Sequence, residues 1–184
     1  RMPHGNWFYS PQHWSPEVSA LPALEQEQIT YGYCGELSRL SENSLKAWTR
    51  IVCGTPGARL MIQAPGLEEV PTKARLLSTF SKMGLPENRV ELVGTLPHLD
   101  MLNLYSKIDI GLDPFPNSDD LFTAEAMWHG VPVVLLHGET FSSRVSVVYP
   151  TTAGLKRLVT TDSESYVQAA FRLSEDLEEL AKLR

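Results

Sequence analysis

The stretch Ile108–Arg144 alternates apolar runs, polar loops and helical segments so tightly that few folds can accommodate it. Ile108-Asp109-Ile110-Gly111-Leu112 is a short apolar run that ends at Asp113-Pro114-Phe115-Pro116-Asn117, because two prolines cannot extend a central strand. Leu121–His129 is helical in composition and is closed by Gly130, with Pro132 just beyond. Val133-Val134-Leu135-Leu136 is a second apolar run, and the polar loop His137–Ser143 follows it. Strand, loop and helix repeated within about forty residues is the rhythm of a parallel α/β sheet with right-handed crossovers. Ligands bind at the carboxyl ends of the strands in such sheets. The loops Asp113–Asp120 and His137–Ser143 are therefore where chemistry is expected.

The same alternation runs through the rest of the chain. Strands are predicted at Ile29–Cys34, Arg59–Ala64, Arg89–Val93, Ile108–Leu112, Val133–Leu136 and Arg157–Thr160. Ser41 is a good N-cap for a helix carrying Leu45, Trp48, Ile51 and Val52 at helical spacing. Further helices are predicted at Thr72–Met83, at Leu99–Ser106, and from Arg144 to about Tyr149, ended by Pro150. Thr161-x-x-Glu164 has the form of a capping box. Beyond it, Tyr166, Val167, Ala170, Phe171, Leu173, Leu177 and Leu180 line one face of a single last helix. Trp48 and Phe171 are expected to be largely buried. Six strands alternating with helices predict a doubly wound, Rossmann-like sheet in the order 3-2-1-4-5-6. Its switch point then lies between the first and fourth strands, where Cys34–Arg39 and Asp113–Asp120 meet. Residues 1–29 hold Pro3, Pro11, Pro16 and Pro22 beside Trp7, Phe8, Tyr9 and Trp14. The prolines deny regular helix and the aromatics are too apolar for a free linker, so an extended arm pressed on a surface is expected before a domain at 30–184.

Composition excludes several roles. The chain has 184 residues, 42% hydrophobic and 21% charged, as in an ordinary globular protein. A net charge of −6 without a basic run argues against nucleic acid as a partner. No apolar stretch approaches the roughly 20 residues that span a bilayer, and no secretory signal opens the chain. Cys34 and Cys53 are too few for a disulfide framework or a zinc site, which predicts reduced thiols and a cytoplasmic location. The ends at Arg1, without an initiator Met, and at Arg184, within a helical pattern, predict a piece of a longer protein.

No G-x-G-x-x-G, Walker A or G-x-S-x-G motif is present, so the common dinucleotide, P-loop and hydrolase sites are not expected. His4, His13, His98, His129 and His137 lack metal-ligand spacing and are expected to be solvated or capping residues. Asp119 and Asp120 precede a helix, where carboxylates favour the positive end of its dipole. Glu125 lies one turn further on, and spacing leaves it balanced between a solvent-facing residue and a carboxylate directed into the crevice. Arg39 follows the first strand closely enough to reach an anion, although a surface arginine fits equally well. Arg144 is expected to fix the loop after the fifth strand by pairing with a carboxylate.

Several segments carry a family likeness. IDIGLDPFP, AEAMWHGVPVV and HGETFSSRVS, with the tail from Tyr166-Val167 through Asp176 and Leu180 to Arg184, resemble the C-terminal catalytic half of O-GlcNAc transferases. These include bacterial SPINDLY-like proteins with tetratricopeptide repeats. Pro16-Glu17-Val18 and Leu21-Pro22-Ala23-Leu24 are similar to the linker before that half. The resemblance implies the second Rossmann-like domain of a GT-B enzyme, holding a UDP-GlcNAc-type nucleotide sugar. It places the first domain, the repeats, the catalytic base and the protein acceptor site outside these residues, and implies no resident cofactor.

By the same resemblance, Arg39 falls where a lysine neutralises the diphosphate, and Glu125 where an aspartate holds the ribose hydroxyls. Met101 falls at the histidine beside the uracil, and Asp119-Asp120-Leu121-Phe122 at the glycine- and threonine-rich diphosphate turn. Gly35 and Glu36 replace an asparagine and a glutamine. Two carboxylates facing a diphosphate oppose its binding, so weak, roughly millimolar UDP binding is expected unless a divalent cation bridges them. Two roles stay open on these residues: an altered donor-binding half, or an interaction domain that keeps the fold but has lost the donor.

Overall fold

The computed structural model describes residues 9–184, so the readings on Pro3, His4, Trp7 and Phe8 lie outside the described residues. Six parallel strands form one sheet: β1 (Thr30–Cys34), β2 (Arg59–Gln63), β3 (Val90–Val93), β4 (Ile110–Leu112), β5 (Val133–Leu136) and β6 (Val159–Thr160). Their order is β3-β2-β1-β4-β5-β6, as the alternation predicts. All five residues of β1 and all three of β4 are buried, as expected of central strands covered on both faces. Tyr31 pairs with Ile110 and Gly32 with Gly111, which fixes the two strands at the switch point in register. A Cβ on Gly32 would collide with Ile108, so this close approach requires glycine.

The helices are α1 (Ala23–Gln26), α2 (Glu42–Gly54), α3 (Val70–Lys82), α4 (His98–Asn103), α5 (Asp120–Trp128), α6 (Val148–Thr152), α7 (Ser163–Glu175) and α8 (Leu177–Leu183). Ser41 caps α2 by accepting from the Ser44 N–H. Trp48 of α2 is fully buried, and its indole N–H donates to the Tyr166 hydroxyl of α7 at 3.0 Å. Tyr166 in turn donates to the Asp113 carbonyl at 3.0 Å. This chain of bonds secures the loop after β4 from below.

Several boundaries differ from the sequence reading, each for a local reason. Pro150 does not end a helix; it lies in the first turn of α6, where its missing N–H would have no intrahelical partner. Asp162, rather than Thr161, caps α7, accepting from the Ser165 N–H at 2.8 Å. The last helix is two, because the Asp176 carboxylate accepts from the Glu179 N–H and starts α8. Phe171 is half-buried, its ring lying over Gly54 of α2 instead of entering the core. The arm is not wholly extended either: Ala23–Gln26 is one helical turn, with Pro22 in its N-cap position. Asp109 anchors it, accepting from the Ala23 and Thr30 N–H groups at 2.8 Å each.

Candidate functional site

At the carboxyl ends of β1 and β4 lies a cavity of about 320 Å³. It brings together all six residues singled out above: Arg39, Met101, Asp119, Asp120, Leu121 and Glu125. His98 and Glu36 also line it. Its position is the topological switch point, where the crevice of an open α/β sheet receives ligands.

The loop after β4 is built around a buried carboxylate. Asp113 accepts from the Ser118 hydroxyl at 2.5 Å, the Asp119 N–H at 2.9 Å and the Thr123 hydroxyl at 3.2 Å. Burial nevertheless dominates these donors and pushes its pKa up to about 8. Phe115 is tied to α2, its N–H donating to the Ser44 hydroxyl at 3.0 Å. The loop is thereby fixed before it reaches the crevice.

Asp119 does two things with two oxygens. Its Oδ1 accepts from the Phe122 N–H at 3.3 Å and caps α5. Its Oδ2 accepts from the Tyr33 hydroxyl at 2.8 Å and pairs with Arg39 Nε at 3.4 Å. Burial first, then the Asp119 carboxylate, raises the Tyr33 pKa far above its ordinary value. Arg39 also donates to the Ser118 carbonyl at 2.7 Å. The guanidinium is thus committed to the protein, and Asp119, 5% exposed, does not face the crevice as a free charge. A Cβ on Gly35 would collide with this carboxylate, so the glycine leaves room for the pairing. Phe122 turns into the core and meets Tyr33 edge-on, while Leu121 stays exposed at the crevice mouth.

Glu125 resolves the other way from a solvent-facing residue. It is 3% exposed, and its carboxylate meets His98 Nε2 at 3.0 Å and the Tyr105 hydroxyl at 3.5 Å. Burial raises its pKa, and His98 opposes the shift. His98 is therefore not merely solvated, as spacing predicts, but takes part in the crevice wall. Sequence reasoning missed it because the pairing spans 27 residues and two elements. His129 is buried, its ring stacked on Tyr105 at 5.3 Å. It does serve the end of α5, since its Nδ1 lies 2.7 Å from the Glu125 carbonyl and donates to it. Arg144 fixes the loop after β5 through the Thr140 carbonyl at 3.1 Å rather than through a carboxylate. Among the described residues, no cluster of three His, Cys, Asp or Glu is placed to hold a metal ion. Nor is any helix among them long and apolar enough to cross a membrane.

A six-stranded doubly wound sheet with its crevice at the β1/β4 switch defines a domain of the GT-B glycosyltransferase class. The chain belongs to glycosyl transferase family 41, whose description matches residues 19–184. It is 33% identical over its whole length to a probable UDP-N-acetylglucosamine–peptide N-acetylglucosaminyltransferase SPINDLY of Petunia hybrida, and 32% identical to that of Arabidopsis thaliana. It spans 20% of the length of each of these relatives. Among solved structures it is similar to an O-GlcNAc transferase mutant of Thermobaculum terrenum, with TM-score 0.87 and 33% identity. That match covers 95% of this chain and 32% of the other. The C-terminal domain of a group 1 glycosyl transferase from Francisella tularensis, 12% identical with TM-score 0.63, shares the fold alone; the match covers 91% of this chain and 88% of that one.

Proposed function

We propose that this domain is the donor-binding half of a GT-B protein O-glycosyltransferase and receives the nucleotide of a UDP-GlcNAc-type donor in the β1/β4 crevice. The observation that carries the reading is Glu125. It is a buried carboxylate at the switch point, fixed by His98, and an oxygen so placed accepts hydrogen bonds from sugar hydroxyls. Met101 offers a polarizable face against a base. Arg39 and the N-terminus of α5 lie on the side for a diphosphate. The bond-breaking chemistry needs an acceptor hydroxyl and a general base, and in this reading both come from a facing domain beyond these residues. Associated tetratricopeptide repeats and a cytoplasmic location belong to the same proposal, and the 184 residues alone are expected to transfer no sugar.

A second reading has its own observation. Arg39, the cation on the diphosphate side, is held by Asp119 and the Ser118 carbonyl, and Glu36 and Asp120 add negative charge nearby. That arrangement fits a domain that keeps the fold for interaction and has given up the donor. Calorimetric titration of UDP and UDP-GlcNAc, with and without magnesium, separates the two. Saturable binding that competes between the two ligands supports the donor-binding half; no binding under either condition leaves the interaction domain.

A further inference from the structure

The wall that carries Glu125 includes His98, and His98 in turn meets Trp14, which is not part of the crevice lining. His98 is the first residue of α4, its side chain is 49% exposed, and its bond to Glu125 is the short one that this carboxylate makes. The other bond, from Tyr105, is 3.5 Å long and correspondingly weak. A half-exposed imidazole at a helix start has solvent-facing rotamers available to it. What opposes them is Trp14 of the arm, whose ring meets the His98 ring edge-on, with centroids 5.6 Å apart and planes at 89°. This is the preferred geometry for two aromatic rings.

The arm behind Trp14 is fastened. Arg184 donates to the Ser19 carbonyl at 2.8 Å and to the Ser19 hydroxyl at 2.9 Å, and the same guanidinium reaches the Tyr105 and Ile108 carbonyls. Ahead of it, Tyr9 packs on Trp128 of α5 at 6.3 Å. Trp14 is thus held on both sides in sequence, and its ring meets the crevice wall at His98.

We infer that Trp14 is a positioning residue for the crevice: by holding the His98 ring it keeps the Glu125 carboxylate oriented toward the hydroxyls of a bound nucleotide. The inference rests on the nucleotide reading of the crevice. Without His98 in place, Glu125 would keep only the long bond from Tyr105 in a desolvated setting. Burial would then favour its protonated form, which is a poorer acceptor. His129, Tyr105, Tyr9 and Cys34 also face this carboxylate, but none of them replaces the bond from His98 Nε2.

The test pairs a ligand-free signal with a binding measurement on the 184-residue chain. The His98 imidazole resonance, followed by proton–carbon NMR, reports the Trp14 ring current directly. Trp14→Ala is expected to move that resonance to the position of an imidazole without the Trp14 ring current and to weaken UDP binding by about twofold to tenfold, the range of one aromatic pair. Trp14→Phe restores the edge contact and should bring affinity back to within about twofold of the parent. Leu24→Ala, at an exposed arm position in α1, should change neither signal. An unmoved His98 resonance in Trp14→Ala overturns the inference whatever the ligand does. So does a moved resonance with unchanged UDP affinity, or an equal loss in Leu24→Ala. If the parent chain shows the ring-current-shifted His98 resonance but binds no UDP, the nucleotide reading fails first and the inference falls with it.

Discussion

The two walls of the crevice come from different parts of the chain and treat charge in opposite ways. On the wall formed by the β1 loop and the start of α5, the Arg39 cation and the Asp119 anion satisfy each other at 3.4 Å. On the wall formed by α4 and the middle of α5, Glu125 is buried with one short partner at 3.0 Å and still lines the cavity. The first wall has turned its recognition groups inward. The second keeps one of its groups directed at whatever enters. The walls share a foundation, since Trp48, Tyr166 and Asp113 support the loop from which α5 begins. In the nucleotide reading, hydroxyl recognition survives in this chain better than phosphate recognition.

The largest expected effect removes that foundation. Trp48→Ala should lower stability by about 3–5 kcal/mol in urea unfolding, because it empties a fully buried ring site and removes the donor to the Tyr166 hydroxyl. A loss below about 1 kcal/mol would show that the walls stand without it. Glu125→Gln addresses the second wall alone. Uridine, which has no phosphate, should then bind at least about tenfold more weakly by calorimetry, the effect of losing a charged hydrogen-bond acceptor. Asp119→Asn addresses the first wall with the opposite sign. Asparagine keeps the cap on α5 and removes the charge that neutralises Arg39, leaving the guanidinium bonded only to the Ser118 carbonyl, so UDP should bind about tenfold more tightly while uridine is unaffected. Adding Arg39→Ala should cancel the gain, and a gain that persists would mean Arg39 is not its source.

A pH slope reports on the buried carboxylate under the first wall. The folded-state pKa of Asp113 is raised from 3.8 to about 8, so between those values the folded chain keeps a proton that the unfolded chain releases. Its contribution therefore favours folding at low pH and is lost as pH rises through that window. Urea midpoints should fall from pH 5 to pH 8 more steeply in the parent than in Asp113→Asn. Parallel slopes would mean that the three donors around Asp113 outweigh its burial.

The strand order was legible because each strand is an apolar run bounded by proline, glycine or polar residues, and parallel α/β topology leaves few ways to join such runs. Topology brings the loops after β1 and β4 together and so points to Arg39, Asp119 and Asp120, whereas Met101 was legible only through the family resemblance and Glu125 was balanced on spacing. What sequence could not supply was pairing. Arg39 and Asp119 lie 80 residues apart, and nothing local shows that their charges meet. His98 and Glu125 pose the same difficulty, since a histidine at a helix start looks solvated until the neighbouring helix is placed. The break at Asp176 was hidden differently. The apolar spacing continues across it, and only the competition between a capping carboxylate and continued helix decides the matter.

The division of labour on Asp119 also bears on how far this chain stands from a phosphate-accepting one. Oδ1 caps the helix, while Oδ2 holds the arginine and accepts from the Tyr33 hydroxyl, so the cap and the ion pair sit on different atoms of one side chain. Exchanging the charged carboxylate for its amide is among the smallest steps that a protein sequence can take; it removes the charge facing Arg39, leaves an oxygen for the cap, and turns the Tyr33 hydroxyl from donor to acceptor. A lineage carrying this loop would not have to cross a valley of unfolded intermediates to change what its crevice attracts. In the nucleotide reading, a change at this single position would shift the crevice between a weaker and a stronger anion site while the cap on α5 is kept.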